Sequence, residues 1–428
     1  MIDIILQFPK SSIYFFRFTR KWVNKAVYRH ITAMVLAMIL LRGNRTLGNT
    51  SRLFLYSRHK SSMSRCLNYS VFPGFTIHGH LYNRLLNEAL EIPGAKRTAY
   101  IIIDTTANRK QSGKMENRII YKKGYTSCHF FVMGILYFPD TGVRIPLPRR
   151  LYRTKSYCRK HGYKYRTQIQ LAENMIRYAN LPDDMEVIVL FDTLFSSESF
   201  IKLLRQKGYH FVCSVKDNRV DLATGKQLKG IIEQYISKGQ LNTRVDVRVS
   251  SKRSRYSHKS AQIYETKKYV TYTEKFSISK MGDVQIVFSR KTDDEKSLMK
   301  YIATDMLSLS THQILTIYSY RWQIELFFKE LKTYLGLSDY QVLSFRAIVR
   351  HVDIVIMAFM YLEHLRLCKL KENPTDRHWL YARTLQMSYV LQHEVRMTNL
   401  GFIKRVIKNE GNLDKLEQEL IQKVPLVA

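Results

Sequence analysis

The sequence predicts an α/β protein in which a sheet-centred core is interrupted by a β-rich insertion and flanked by helical regions. Three observations carry that prediction. Two short apolar runs, Tyr100-Ile-Ile-Ile-Asp104 and Glu186-Val-Ile-Val-Leu-Phe-Asp192, have the length and continuity of buried strands, and each ends on an aspartate. Segments with helical spacing, Thr167 to Tyr178 and Ser197 to Lys207, alternate with strand-like runs as far as Val215. From Asp217 to about Lys291 the chain turns polar and short-stranded before helical spacing returns at Ser310.

In chain order, residues 1–94 are expected to be helical. Apolar spacing from Trp22 to Leu41 is that of a helix, and Gly43-Asn44-Arg45-Thr46 reads as a turn into another; a further helix is expected near Leu81 to Leu90. The run Ile31 to Leu41 is apolar, but eleven helical residues reach only about 16 Å, half a bilayer core. A buried helix is therefore expected there, and neither a membrane span nor a signal peptide. Residues 95–216 form the first part of the core, with strands at Tyr100–Asp104, Cys128–Phe138 and Val143–Tyr152, the last two joined by the turn Pro139-Asp-Thr-Gly142. Short turns make these three antiparallel, whereas the strands at 186–192 and 210–215 are linked through helices and are expected to run parallel. That is the element order of the ribonuclease H-like fold. Residues 217–296 are the β-rich insertion, with strands expected at 243–250, 262–273, 275–278 and 284–289. Residues 297–340 complete the core with a strand at 299–303 and one helix from Ser310 to about Leu335. Residues 341–428 are a helical C-terminal region, ending in a helix from Asn412 to Val424.

Charge narrows the function. There are 69 Lys plus Arg against 35 Asp plus Glu, a formal +34. An excess of this size calls for a polyanionic partner, and without a membrane anchor that partner is nucleic acid. Residues 1–60 alone carry eleven Lys/Arg and a single acid, Asp3, among Tyr14, Phe15, Phe16, Phe18 and Trp22, so residues 1–94 are expected to be a DNA-binding region. The stretch Arg144 to Arg166, with nine Lys/Arg and no acid, is expected along the DNA path. Five scattered cysteines without a C-x-x-C pair support neither a disulfide framework nor a zinc site, and point to a reducing cytoplasm.

Asp104 and Asp192 each end an apolar strand, where a side chain faces a cleft on a rigid backbone. Either alone reads equally as a turn or helix cap. Together, at adjacent strand ends, two carboxylates need a cation between them, and oxygen ligands with room for water favour Mg²⁺ or Mn²⁺. Tyr318, Arg321, Glu325 and Lys332 stand at i, i+3, i+7 and i+14. On a straight helix they fall within roughly 60° of one another. Apolar Ile314, Leu315, Ile317, Phe327, Phe328 and Leu331 flank this polar stripe, which suits the lining of a cleft.

The spacing Tyr318-x2-Arg321-x3-Glu325-x6-Lys332 resembles the Y-R-E-K signature of the insertion-sequence-four family of DDE transposases. Ile302-Ala-Thr-Asp305, Tyr320-Arg-Trp-Gln-Ile-Glu325-Leu-Phe-Phe-Lys329, Asp192-Thr-Leu-Phe195 and Asp104-Thr-Thr fit the same pattern, over about residues 95–340, with a weaker echo from Arg29 to Phe54. The resemblance implies a transposase that cuts DNA at terminal inverted repeats and transfers the ends to target DNA. It also implies two Mg²⁺ or Mn²⁺ ions on Asp104, Asp192 and Glu325, with Tyr318, Arg321 and Lys332 on the DNA. Action as a homodimer on DNA, in a bacterial cytoplasm at the nucleoid, is implied as well. One departure stands out: some members hold a flipped base on a tryptophan of the insertion, whereas the tryptophans here are Trp22, Trp322 and Trp379. Tyr256, Tyr264, Tyr269, Tyr272 or Phe276 would have to stack instead. The alternatives are an inactive DNA-binding derivative and a ribonuclease H-like nuclease that does not join strands.

Overall fold

The computed structural model describes residues 4–55, 59–110, 114–120, 127–250, 264–292 and 297–410. The expected helix at 412–424 and Tyr256 lie outside the described residues.

Five helices come first: α1 (Lys10–Phe16), α2 (Lys25–Leu40), α3 (Leu47–Arg52), α4 (Lys60–Asn68) and α5 (Gly74–Leu90). The Asn24 side chain accepts from the Val27 N–H and starts α2, as a polar cap does for an otherwise unpaired donor. From Val27 to Ile39 nearly every residue of α2 is buried, so the apolar run 31–41 is interior. No helix among the described residues is long and apolar enough to cross a membrane.

The strands follow: β1 (Thr98–Lys110), β2 (Ile119–Ile120), β3 (Ser127–Phe138), β4 (Val143–Pro146) and β5 (Arg150–Leu151). After α6 (Lys155–His161) and α7 (Gln168–Arg177) come β6 (Glu186–Phe191), α8 (Glu198–Gln206), β7 (His210–Ser214) and α9 (Leu228–Ser237). Strands β8 (Thr243–Ser250), β9 (Tyr264–Ile278), β10 (Gly282–Lys291) and β11 (Lys300–Thr304) lead into α10 (Thr311–Ser319), α11 (Trp322–Thr333), α12 (Phe345–Glu372), α13 (Arg377–Tyr381) and α14 (Thr384–Glu410).

All strands join one mixed sheet in the order β2-β3-β1-β6-β7-β11-β10-β9-β8, with β4 and β5 also paired to β3. β3 is antiparallel to β1, while β1, β6 and β7 run parallel, as expected. Strands β8, β9 and β10, in the stretch expected to be an insertion, continue this sheet through β11, and one buried apolar cluster runs from Ile5 to Val395 in α14. Helix α12 lies at its centre, buried along most of its length and packed on α2, α5, α14 and β4.

Four expected elements differ. The strand at 143–152 is two short ones, because Pro146 and Pro148 withhold the N–H groups a continuous ladder needs. The pieces at 262–273 and 275–278 are a single strand, β9, held between β8 and β10. Helix α9 was not expected. The helix at 310–335 is broken between α10 and α11, where Tyr320, Arg321, Gln323 and Ile324 each donate three residues back instead of four. Those tighter turns contain no glycine or proline, so nothing in the residue types announces them.

Burial also corrects the basic stretch 144–166. Arg144 lies 2.8 Å from Glu330 and Arg149 2.5 Å from Asp353, and all four side chains are buried. These two arginines hold α11 and α12 against the sheet and are not available to DNA. Close packing continues behind Asp353: a Cβ added at Gly74 would stand 2.1 Å from its Oδ2. Gly74→Ala is therefore expected to cost about 1–3 kcal/mol by pushing Asp353 off Arg149, read as a lower denaturation midpoint in urea.

Candidate active site

Asp104 is in mid-strand, which corrects the expectation that β1 ends there. β1 runs on to Lys110 beside β3, but its pairing with β6 stops at Ile102 opposite Leu190. Two residues further along that parallel register, Asp104 comes level with Asp192, the first residue after β6. The cleft is thus made where one strand leaves the sheet and its neighbour continues. Both sheet faces beneath are apolar, with Ile101, Ile102, Ile103, Val189 and Leu190 fully buried. That packing fixes the backbone under both aspartates.

One oxygen of each aspartate is used locally. Asp104 Oδ1 accepts from the Thr105 N–H at 2.7 Å, and Asp192 Oδ1 accepts from the Leu194 N–H at 2.9 Å, capping the turn at Thr193–Phe195. The cap reading of Asp192 is therefore true, and it leaves Oδ2 for other work.

Glu325 is in the first turn of α11, four residues after Arg321 at the helix break. Arg321 reaches both carboxylates: Nη2 donates to Glu325 Oε1 at 2.6 Å, and Nη1 to Asp104 Oδ2 at 3.4 Å. Burial pushes the Asp104 carboxyl up to about 6, with Asp192 and Glu325 adding to the rise and the Thr105 N–H and Arg321 opposing it. Asp104 therefore feels both of the other carboxylates in a partly dry setting. Tyr318 lies at the end of α10 with its ring against the same guanidinium and Ser214 near its hydroxyl; burial raises the phenol above its ordinary range although Arg321 pulls the other way. Lys332 sits further along β1, its Nζ donating to the Ala107 carbonyl at 3.0 Å. Burial, then Arg109, holds its ammonium below the usual lysine range.

The predicted residues thus fall into two groups. Asp104, Asp192, Tyr318, Arg321 and Glu325 share the cleft, and Lys332 lies beside it. Among the described residues no three carboxylates, histidines or cysteines stand ready to share one metal ion. The side chains nonetheless fit a cation there, because a tethered one, the Arg321 guanidinium, already bridges Asp104 and Glu325.

Sequence reading missed Lys300 on β11, whose ammonium is lowered by burial and then by Arg321, Lys291 and Lys267. It is a lone lysine in an unremarkable run, and only strand pairing brings it to the cleft. Of the aromatic candidates in the insertion, Phe276 is core, Tyr272 packs on Tyr235 with ring centroids 4.3 Å apart, and Tyr269 faces Tyr318.

Residues 150–361 match the family described as the transposase DDE domain, and residues 18–229 the one described as DDE superfamily endonuclease. Each spans just under half of the chain; the first contains Asp192 and Glu325, the second Asp104 and Asp192. No curated protein matches the chain. Among solved structures it is similar to piggyBac transposase in a synaptic complex with hairpin DNA, determined by cryo-electron microscopy. The two share 11% identity and a TM-score of 0.47, over 98% of this chain and 85% of that one.

Proposed function

We propose that this chain, residues 18–229 and 150–361 of which match DDE endonuclease and transposase families, cuts DNA at the ends of its element and joins them to target DNA, acting as a homodimer in cut-and-paste transposition. The observation that supports this is Arg321 bridging Asp104 and Glu325, with Asp192 level with Asp104 where the neighbouring strand ends. Placement in the insertion-sequence-four family is supported by the spacing of Tyr318, Arg321, Glu325 and Lys332. A ribonuclease H-like core is supported by the strand order β4-β3-β1-β6-β7, with the first pairs antiparallel and the last two parallel.

Asp104, Asp192 and Glu325 would hold two Mg²⁺ or Mn²⁺ ions, which when bound supply Lewis-acid activation of the attacking oxygen and stabilisation of the leaving one. The chain's own groups do the rest. Arg321 gives up its carboxylates and takes a DNA phosphate, for which its planar fork suits two parallel hydrogen bonds. Lys332 offers a point charge further along the strand, and the Tyr318 hydroxyl donates to a phosphate oxygen. The apolar floor of the cleft keeps water scarce and strengthens each of these contacts.

A supercoiled donor plasmid carrying the inverted repeats that border the gene provides the test. With Mg²⁺ the protein should cleave at the repeat ends and yield joined products, and EDTA should stop both. Cleavage without joined products would reduce the reading to a nuclease. DNA binding with no metal-dependent cleavage would remove it altogether.

The pH dependence follows from Asp104, which must ionise to bind metal. At limiting Mg²⁺, cleavage should rise with pH and then level off, the midpoint moving to lower pH as Mg²⁺ is raised and competes with the proton. Arg321→Gln removes a group that holds this pKa down in the metal-free protein, so the pH at which Asp104 ionises there should move higher, read from urea midpoints against pH in EDTA. Stability of the metal-free protein has the opposite sign. The folded pKa lies above the ordinary 3.8, so stability present at low pH is lost as pH climbs toward 6.

A further inference from the structure

The sheet gathers lysines that are remote in sequence onto one face. Directly opposed residues of antiparallel strands share a face, as do residues two apart along a strand. Ser289 on β10 is opposite Lys300 on β11 and Thr271 on β9, and Lys291 is opposite Tyr269. Lys267 stands two residues before Tyr269 on β9. Lys267, Lys291 and Lys300 therefore share a face with Tyr269, Thr271 and Thr273. Thr273 Oγ1 is 2.8 Å from Thr311 Oγ1 in the first turn of α10, so this is the face that α10 covers and from which Arg321 reaches the carboxylates.

These ammonium groups are close enough to matter to one another. Lys291, Lys267 and Arg321 each act on Lys300 to disfavour its charge, while Glu325 acts to favour it. Lys267 has a carboxylate partner, Glu265, at 3.2 Å, but among the described residues Lys291 and Lys300 have none. Clustered like charge on neighbouring strands costs stability in the free protein. The natural complement is an anion with regularly repeated charges.

We propose that Lys267, Lys291 and Lys300 form a track for the DNA backbone, taking successive phosphates of the strand that leads away from Arg321 and the carboxylates. This rests on the transposase reading and assigns the insertion strands a binding task within it. Tyr269 and Tyr318, on the same side, lend hydroxyl donors to the track.

The test needs no knowledge of the terminal repeat. Affinity of the full chain for a random-sequence duplex is measured by fluorescence anisotropy in EDTA against KCl concentration. Each phosphate contact contributes roughly 0.9 to the slope of log affinity on log salt. The triple variant Lys267→Gln, Lys291→Gln, Lys300→Gln should lose about 2.7 from that slope. A control triple on the other side of the sheet, Lys202→Gln, Lys207→Gln, Lys238→Gln, removes the same charge and should change the slope little. The first triple should melt no lower than wild type, because it relieves repulsion. An unchanged slope, or an equal fall in the control, would overturn the track while leaving the transposase reading intact. A wild-type chain that does not bind the duplex at all would overturn both.

Discussion

Asp104→Asn, Asp192→Asn and Glu325→Gln are each expected to lower Mg²⁺-dependent strand cleavage by more than about 10³-fold, the upper range for losing one preorganised electrostatic group. Each substitution keeps shape and removes only charge, so the loss isolates metal binding from packing. Binding of duplex DNA in EDTA should be unchanged or slightly stronger, because a negative charge has left a phosphate site. Asp104→Asn has a second, opposite consequence. Its surroundings disfavour the charged form, pushing the carboxyl up to about 6. Above that pH the asparagine variant should therefore melt higher than wild type in metal-free buffer. An inactive but more stable protein distinguishes a catalytic carboxylate from a structural one, whose removal would lower both. Full activity in any of the three variants would remove the proposed metal site.

The second large effect is expected behind the cleft. Arg144 on β4, Glu330 on α11, and Glu363 and Arg366 on α12 form a buried cluster of two cations and two anions. Thr384 donates to Glu330 Oε2 at 2.9 Å, and Arg366 donates to the Thr141 carbonyl at 3.0 Å. Glu330→Ala leaves Arg144 with Glu363 alone, at 3.8 Å. Removing one member of such a set strands a buried charge, and about 3–5 kcal/mol of stability should be lost. Urea denaturation of Glu330→Ala measures this, and the double variant Arg144→Met, Glu330→Leu should recover most of the loss. Recovery would show that the cost lies in the unpaired charge. Glu330 is on the same helix as Glu325, so the single variant should also lose cleavage at temperatures below its melting point.

Much of this was legible in the sequence. The apolar runs located β1, β3 and β6, and the spacing around Glu325 identified the helix that carries the third carboxylate. What the runs could not show is where β1 stops. Thr105 to Lys110 is mostly polar, yet it stays in the sheet because it pairs with β3 and its polar groups find partners after α11, Asn108 on the Leu337 carbonyl and Lys110 on that of Tyr340. The helix at 310–335 looked continuous because its break uses only tighter backbone bonds. Arg144 and Arg149 looked like surface charge because their acidic partners lie about 190 and 200 residues away. The lysines of the insertion were invisible for the same reason, since register, not composition, brings them together. Helix α9 is a different case. Leu228, Ile231, Ile232 and Tyr235 have full helical spacing, and the polar residues around them hid it.

The unbroken sheet has a geometric consequence for any duplex that lies on it. Five hydrogen-bonded steps separate β1, with Asp104, from β9, with Lys267. Neighbouring strands turn by roughly 20–25° each, so the strand direction swings by about 100–125° between those two points. The surface under the lysines and the surface under the carboxylates are therefore blades of one propeller and not a flat wall. A straight rod can follow only part of such a surface, so a duplex gripped at both places must bend or cross the blade obliquely.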